Sequence, residues 1–157
     1  MDLSSETVAL KSSKSDFKSE KELCDFIEDN VQLFCLQILN REYSKHTREF
    51  YLTYFKAFGA NKPRVDFFIK TKEHENFIIE VKNPKNTYGE LINSVSQVLS
   101  YLIIAEENKV VIHRAMIVCS RYDVRLIKII KKFKLPIDVC VLQKRCSMTY
   151  FFNQNDN

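Results

Sequence analysis

The chain has 157 residues, of which 45% are hydrophobic and 28% are charged, with only two glycines and three prolines. This size and composition suit one globular domain with its own core and exclude a fibrous or loop-rich chain. No apolar run is long enough to span a membrane, and the N-terminal residues lack the apolar core of a signal peptide. We therefore expect an intracellular protein, cytoplasmic or associated with the nucleoid or nucleus, that has no membrane partner.

The distribution of charge indicates the class of binding partner, and the cysteines indicate whether disulfides or a zinc site are expected. The net charge is +4, but residues 85–145 carry 11 basic against 5 acidic residues, whereas residues 1–84 carry 13 against 14. A basic half favours a polyanionic partner such as a nucleic acid. The five cysteines are odd in number and have no CxxC spacing, so we expect neither a disulfide framework nor a zinc site. The three histidines are scattered and are expected at the surface.

The first structured element is predicted to be a helix that begins at Ser19. Residues 1–17 and 153–157 are expected to be disordered tails, which leaves residues 18–152 as a single domain. Ser19 and Glu22 form a capping box, after which apolar residues recur at helical spacing. Glu20 falls at the edge of the apolar face and is expected to point toward the sheet, whereas capping alone explains Glu22.

Two apolar segments with embedded charges follow, at residues 64–70 and 76–82, and both are predicted to be strands. Asp66 interrupts the first strand, and Glu80 and Lys82 close the second. Because side chains alternate between the faces of a strand, Glu80 and Lys82 point the same way. The polar segment between the strands predicts a hairpin, which would bring Asp66 near both of them.

This cluster of charges has two interpretations. A carboxylate within the otherwise apolar run Phe77–Val81 needs a partner, because an unpaired charge is costly to bury. A divalent cation held by Asp66 and Glu80 would supply that partner. An internal ion pair of Lys82 with either carboxylate would also supply it, without any catalysis, and the motif alone leaves both interpretations open.

The remaining elements predict the fold class. We expect a helix from about Tyr88 to Glu106, a strand over 110–120, a helix over 122–133, a strand over 137–142 and a last short strand over 148–152. Residues 36–60 have a less clear pattern, and within them residues 50–55 are undecided between a strand and a buried helix segment. The α-β-β-α-β-α-β order places helices on both faces of a mixed sheet, which defines an α/β fold. On the first of these helices, Gln97 and Tyr101 lie four residues apart and share a face that could simply be its solvated side.

In this order and spacing the motifs resemble the PD-(D/E)XK nuclease superfamily, and they are most similar to its NucS and Mrr-like endonuclease branch. The resemblance covers about residues 19–104 and extends more loosely to residue 142. Val65 stands where the superfamily's name has Pro, and Lys62-Pro63 replaces a Gly that is often found before the motif. The resemblance implies a single nuclease-like domain with a restriction-endonuclease-like core, a mixed central β-sheet flanked by helices.

The resemblance also implies a metal-dependent nuclease that hydrolyses phosphodiester bonds, in DNA rather than RNA, for repair, restriction or defence against mobile elements. Asp66, Glu80 and the main-chain carbonyl of Val81 resemble the ligands of Mg²⁺, with Mn²⁺ as a substitute. The positions that match the family's catalytic residues are Asp66, Glu80, Lys82, Glu20, Gln97 and Tyr101. Separately, the basic residues suggested as contacts to nucleic-acid phosphates are Arg64, Lys85, Arg125, Lys128 and Lys132.

Two other functions fit the same residues. The first is a nuclease-like module that has lost cleavage and binds nucleic acid or a protein partner, and it predicts an incomplete site. The second is an α/β protein whose charges form internal salt bridges. Since the chain is too short for a separate recognition domain, specificity would come from the shape of the DNA, from a homodimer or from a protein partner.

Overall fold

The computed structural model describes residues 17–52, 63–83, 88–121, 123–142 and 150–152. The helices are α1 (Glu20–Asp29), α2 (Val31–Phe34), α3 (Tyr88–Glu107) and α4 (Val124–Phe133), and a π-helical turn (Cys35–Leu39) follows α2. The strands are β1 (Tyr43–Tyr51), β2 (Arg64–Thr71), β3 (Asn76–Lys82), β4 (Arg114–Cys119), β5 (Asp138–Val141) and β6 (Tyr150–Phe152). The predicted helices and strands are present among the described residues, and Phe50 and Tyr51, at the start of the undecided segment, belong to β1.

The described strands form one sheet of six strands in the order β1-β2-β3-β4-β5-β6. Strands β1, β2 and β3 are antiparallel neighbours, which confirms the predicted hairpin between β2 and β3. Strands β3, β4 and β5 are parallel and are connected through α3 and α4, whereas β6 runs antiparallel to β5. The sheet is mixed and the predicted α/β class is confirmed. Strand β1 adds an element between the first helix and the hairpin, and the short last strand, β6, follows β5.

Hydrophobic clusters cover both faces of this sheet. On one face, Leu23 and Ile27 of α1 belong to the same cluster as Phe67 and Ile79. On the other face, residues of α3 and α4 form a cluster with Ile78 and the alternate residues of β4 and β5. Because helices cover β3 from both sides, the five residues Phe77–Val81 are all buried. The carboxylate of Glu80 therefore lies in the interior of the domain.

Phe17, the first described residue, packs against the domain rather than extending away from it. Ser19 Oγ accepts a hydrogen bond from the Glu22 N–H at 3.1 Å, and the Glu22 carboxylate accepts one from the Lys18 N–H at 2.6 Å. Phe17 had been assigned to the disordered tail, but it is buried and its ring packs against Phe26 at 5.4 Å. Phe17 is apolar and adjoins the helix cap, so it closes the end of the α1 cluster. Residues 1–16 and 153–157 lie outside the described residues.

The thiols and histidines are distributed between the core and the surface. Cys24, Cys35, Cys119 and Cys140 are buried free thiols, and burial raises the pKa of Cys24 to about 12. His74 and His113 are exposed as expected. The expectation is wrong for His46, which is partly buried because it contacts Glu28 and Tyr43. None of the described helices is long and apolar enough to cross a bilayer.

Candidate active site

The site forms where β2 separates from β3. The two strands pair from Lys70–Asn76 to Phe67–Ile79 and no further, whereas β2 remains paired with β1 as far as Arg64. We call this divergence the fork. Asp66 is the first residue of β2 beyond it, and its Oδ2 accepts a hydrogen bond from the Val81 N–H at 2.7 Å. The side chain of Asp66 thus binds a backbone donor of β3 just beyond the last paired residues.

Glu80 and Lys82 lie on the same face of β3, as the alternation of the strand predicts. Lys82 Nζ is 2.8 Å from Glu80 Oε1, and the two side chains are 20% and 3% exposed. The second oxygen, Glu80 Oε2, is buried and has no hydrogen-bond partner among the described residues. The internal ion pair therefore satisfies only half of the carboxylate.

The electrostatics of the site follow from this burial. Burial, and after it the negative charge of Asp66, raise the pKa of Glu80 to about 7 against the opposing effect of Lys82. Burial also raises the pKa of Asp66, although the Val81 N–H and the charge of Lys82 oppose that shift. For Lys82, burial acts to lower the pKa, but the hydrogen bond and charge of Glu80 outweigh it and the pKa is raised. The two carboxylates thus destabilise each other's charge, which is the condition that a bound cation relieves.

An open groove of about 280 Å³ reaches Lys82 from solvent. It lies between the start of α1, the carboxyl end of β3 and the first half of α3. Its lining consists of Glu20, Lys82, Asn83, Glu90, Asn93 and Gln97. Glu20 was expected to point toward the sheet; its side chain is exposed and lines this groove, and its charge acts on both Glu80 and Lys82.

Gln97 and Tyr101 connect α3 to the fork. Gln97 Nε2 donates a hydrogen bond to the Tyr101 hydroxyl at 2.5 Å, and that hydroxyl donates to the main-chain carbonyl of Arg64 at 3.0 Å. Tyr101 is 6% exposed, so burial raises its pKa, as does the charge of Glu80. The pair holds the beginning of β2, two residues before Asp66, against the helix.

Known structures share this arrangement of elements. The crystal structure of a repair endonuclease from Pyrococcus abyssi matches with a TM-score of 0.56 and 18% identity, over 83% of this chain and 50% of that one. A structure of EndoMS in complex with double-stranded DNA matches with a TM-score of 0.50 and 18% identity, over 81% of this chain and 46% of that one. This chain therefore shares the fold of these two structures. It spans about half the length of each of these proteins, and no family model or curated sequence matches it.

The residues predicted to contact phosphates lie around the candidate site rather than within it. Arg64 is 48% exposed at the fork, and its Nη1 is 3.6 Å from Glu49 Oε2. Arg125 binds Asp123, the residue that caps α4, and Lys128 is exposed on the same helix. Lys132 is also exposed, beside the Phe133 ring, and Lys85 lies outside the described residues. None of the residues on α4 lines the groove.

The residues of the site fit a divalent cation with few protein ligands. Among the described residues, no group of three or more His, Cys, Asp or Glu side chains lies together in a way that could hold a metal ion. Mg²⁺ nevertheless binds in many proteins through one or two carboxylates while it keeps several waters. Glu80 Oε2, which is buried and has no partner in the part of the chain that the structure describes, is a hard oxygen ligand of this kind, and the carboxylate of Asp66 acts on it electrostatically. Asp66, Glu80 and water molecules in the groove suit such an ion.

Three residues that line this site, Glu90, Asn93 and Asn83, were not among the predicted site residues. Glu90 and Asn93 line the groove on α3. They precede Gln97 by seven and four residues, so the helical spacing that joined Gln97 to Tyr101 could have identified them. Asn83 directly follows Lys82, and its amide donates a hydrogen bond to the Phe17 carbonyl at 3.1 Å. That contact joins residues 66 positions apart, and no local pattern predicts it.

Proposed function

We propose that this chain is a metal-dependent nuclease that hydrolyses phosphodiester bonds in DNA. One observation carries the proposal, namely a buried carboxylate with one oxygen lacking a partner, paired with Lys82 and next to Asp66. Perturbed carboxylates at an open groove are typical of catalytic sites. The two proteins of similar fold support DNA as the substrate, since one is a repair endonuclease and the other was determined with double-stranded DNA.

Asp66, Glu80 and the main-chain carbonyl of Val81 would hold Mg²⁺, with Mn²⁺ as a substitute. When bound, such an ion supplies a Lewis acid for a phosphate oxygen and lowers the pKa of a water molecule. The residues of this chain would fix the positions of the two carboxylates. The Val81 N–H holds Asp66 in place, and Lys82 restrains one oxygen of Glu80 while the other remains available.

The other residues of the groove would act on the substrate. Lys82 would stabilise the negative charge that grows on the phosphate in the transition state, because its ammonium is already oriented by Glu80. Glu20 would bind water molecules at the mouth of the groove, and Gln97 would position the phosphate or the water. Arg64 and the basic residues of α4 would contact DNA phosphates, which position the duplex without reading its sequence.

The test is a cleavage assay with duplex, single-stranded and branched DNA in Mg²⁺, Mn²⁺ or EDTA. We expect cleavage that requires the metal and that is lost in Glu80→Gln and in Lys82→Ala. Lys72→Ala is the matched control, because Lys72 also pairs with a glutamate, Glu42 at 2.7 Å, but lies in the turn at the other end of the hairpin. Cleavage by Lys82→Ala at the rate of the unmodified protein would contradict the assignment.

The same assay separates the nuclease from the non-catalytic module. DNA binding by the unmodified protein without cleavage in any metal would support the module that only binds. Residual cleavage in EDTA that Glu80→Gln also shows would instead indicate a contaminating nuclease. Both outcomes would leave Asp66 and Glu80 without the proposed role.

A further inference from the structure

Glu49 lies in β1 at the level of the fork, directly across from Asp66. The pairs on either side of this position are Arg48–Phe67 and Phe50–Val65. Glu49 has a φ of 55°, a left-handed conformation that is unusual for a residue other than glycine in the middle of a strand. Within the described part of β1 it is the one residue with positive φ.

The faces of β1 reverse at Glu49. Arg48 points to the α1 side, where it binds Asp25 at 2.6 Å. In regular alternation Phe50 would also point to that side, but it packs with the α3 cluster and stacks on Phe68 at 4.4 Å. A left-handed residue between two extended ones produces this reversal, because it bends and twists the strand as a bulge does.

The same reversal occurs in β2 at Asp66. Phe67 belongs to the α1 cluster, whereas Val65, two residues away, belongs to the α3 cluster. The β1–β2 ribbon therefore turns as a unit at Glu49 and Asp66 and leaves β3 there. Beyond the turn, the Leu52 N–H still bonds to the Pro63 carbonyl at 3.1 Å, so the ribbon stays paired while it diverges.

We propose that Glu49 is a positioning residue for Asp66, and that its left-handed backbone produces the turn that opens the fork. The role belongs to the backbone conformation, since the Glu49 side chain is 60% exposed and its distance to Arg64 is 3.6 Å. Without the turn, β2 would continue beside β3, and a backbone group would replace the Asp66 carboxylate at the Val81 N–H. The function of Asp66 as a metal ligand rests on the proposed function, but its placement does not.

Four substitutions distinguish the effect of the Glu49 backbone conformation from the effect of the Glu49 carboxylate. Glu49→Val introduces a β-branched residue that resists positive φ, whereas Glu49→Gly adopts it freely. Glu49→Gln removes the charge and keeps the backbone preference. Thr47→Val is the matched control, because Thr47 is an exposed residue of the same strand with a side chain of similar shape.

The measurement is amide hydrogen exchange at Val81 in the folded, metal-free protein, with Ile79 of the paired ladder as the internal reference. We expect exchange at Val81 to be about tenfold faster in Glu49→Val, with Glu49→Gly, Glu49→Gln and Thr47→Val within about twofold of the unmodified protein. Mn²⁺ affinity should fall in Glu49→Val and be retained in Glu49→Gly. Unchanged exchange at Val81 in a folded Glu49→Val variant would overturn the inference.

Two further outcomes are distinguishable. If Glu49→Val does not fold, Glu49→Thr replaces it, and equal exchange at Val81 in Glu49→Thr and Glu49→Gly would overturn the inference. If the unmodified protein binds no Mn²⁺, the proposed function fails and the role of Asp66 as a ligand fails with it. The exchange rates then still decide whether Glu49 places Asp66 at Val81.

Discussion

Lys82 and Glu80 form an ion pair that satisfies one oxygen of a buried carboxylate and leaves the other without a partner among the described residues. A pair that served stability alone would be expected to satisfy both oxygens, because each polar group left unpaired in the interior costs free energy. The arrangement instead keeps one hard oxygen ligand near Asp66 and beside Lys82, which lines the open groove. This geometry favours a cation site over an internal salt bridge.

Stability should depend on pH through Glu80. Its pKa in the folded protein is about 7, above the ordinary value of 4.5, because burial and the charge of Asp66 disfavour the ionised form. The folded state therefore binds the proton more tightly, and the resulting stabilisation is full below about pH 4.5 and is lost as the pH rises to about 7. In EDTA, we expect the free energy of unfolding to fall across this window by on the order of 2 kcal/mol more than in Glu80→Gln. Denaturant titrations at several pH values measure this difference, and parallel curves for the two proteins would contradict it.

The Tyr101 hydroxyl should matter for both stability and cleavage. Tyr101→Phe removes the hydrogen bond to the Arg64 carbonyl, so that this carbonyl loses the hydrogen bond that joins it to α3. We expect a loss of about 1 kcal/mol in unfolding free energy and slower cleavage with little change in DNA affinity, because the start of β2 is no longer fixed. Denaturant titration and single-turnover kinetics measure the two effects. Tyr51→Phe is the control, since Tyr51 is 47% exposed, and equal effects of both substitutions would argue against the assigned role.

The strands and helices that carry the site were predictable from local pattern. The apolar run around Glu80 could place that residue only in a buried strand, and alternation then fixed Lys82 on the same face. The hairpin brought Asp66 to them because its turn is short and polar. The two-residue period of a strand and the order of the elements were therefore sufficient to place Asp66, Glu80 and Lys82 together.

The features that sequence analysis missed depend on contacts between distant residues. Strand β1 is polar along most of its length and lies at the edge of the sheet, and ion pairs from Arg48 to Asp25 and Glu28 of α1 help to hold it. Those pairs join residues 20 or more positions apart, and no periodicity reveals them. The left-handed conformation of Glu49 is equally hidden, because glutamate has no preference for it.

Arg64 should contribute to DNA affinity through charge. Its guanidinium is about half exposed at the fork, next to Asp66, and its nearest acidic partner is 3.6 Å away. We expect Arg64→Ala to weaken binding to all DNA sequences alike and to reduce the slope of log affinity against log salt by about one. Arg41→Ala removes the same charge at the far end of the hairpin, where Arg41 binds Glu75 at 2.5 Å, and should leave the slope unchanged. Equal slopes for the two variants would show that Arg64 does not contact the DNA.

The central claim is that Asp66 and Glu80 together bind a divalent cation. Calorimetric titration of Mn²⁺ into the unmodified protein, Asp66→Asn and Glu80→Gln at pH 8 tests it most directly, with Glu75→Gln as a control at the other end of β3. We predict one saturable site in the unmodified protein and in Glu75→Gln, and at least tenfold weaker binding in the other two, because each loses a hard anionic ligand. Absence of Mn²⁺ binding by the unmodified protein, or equal binding by all four, would contradict the account.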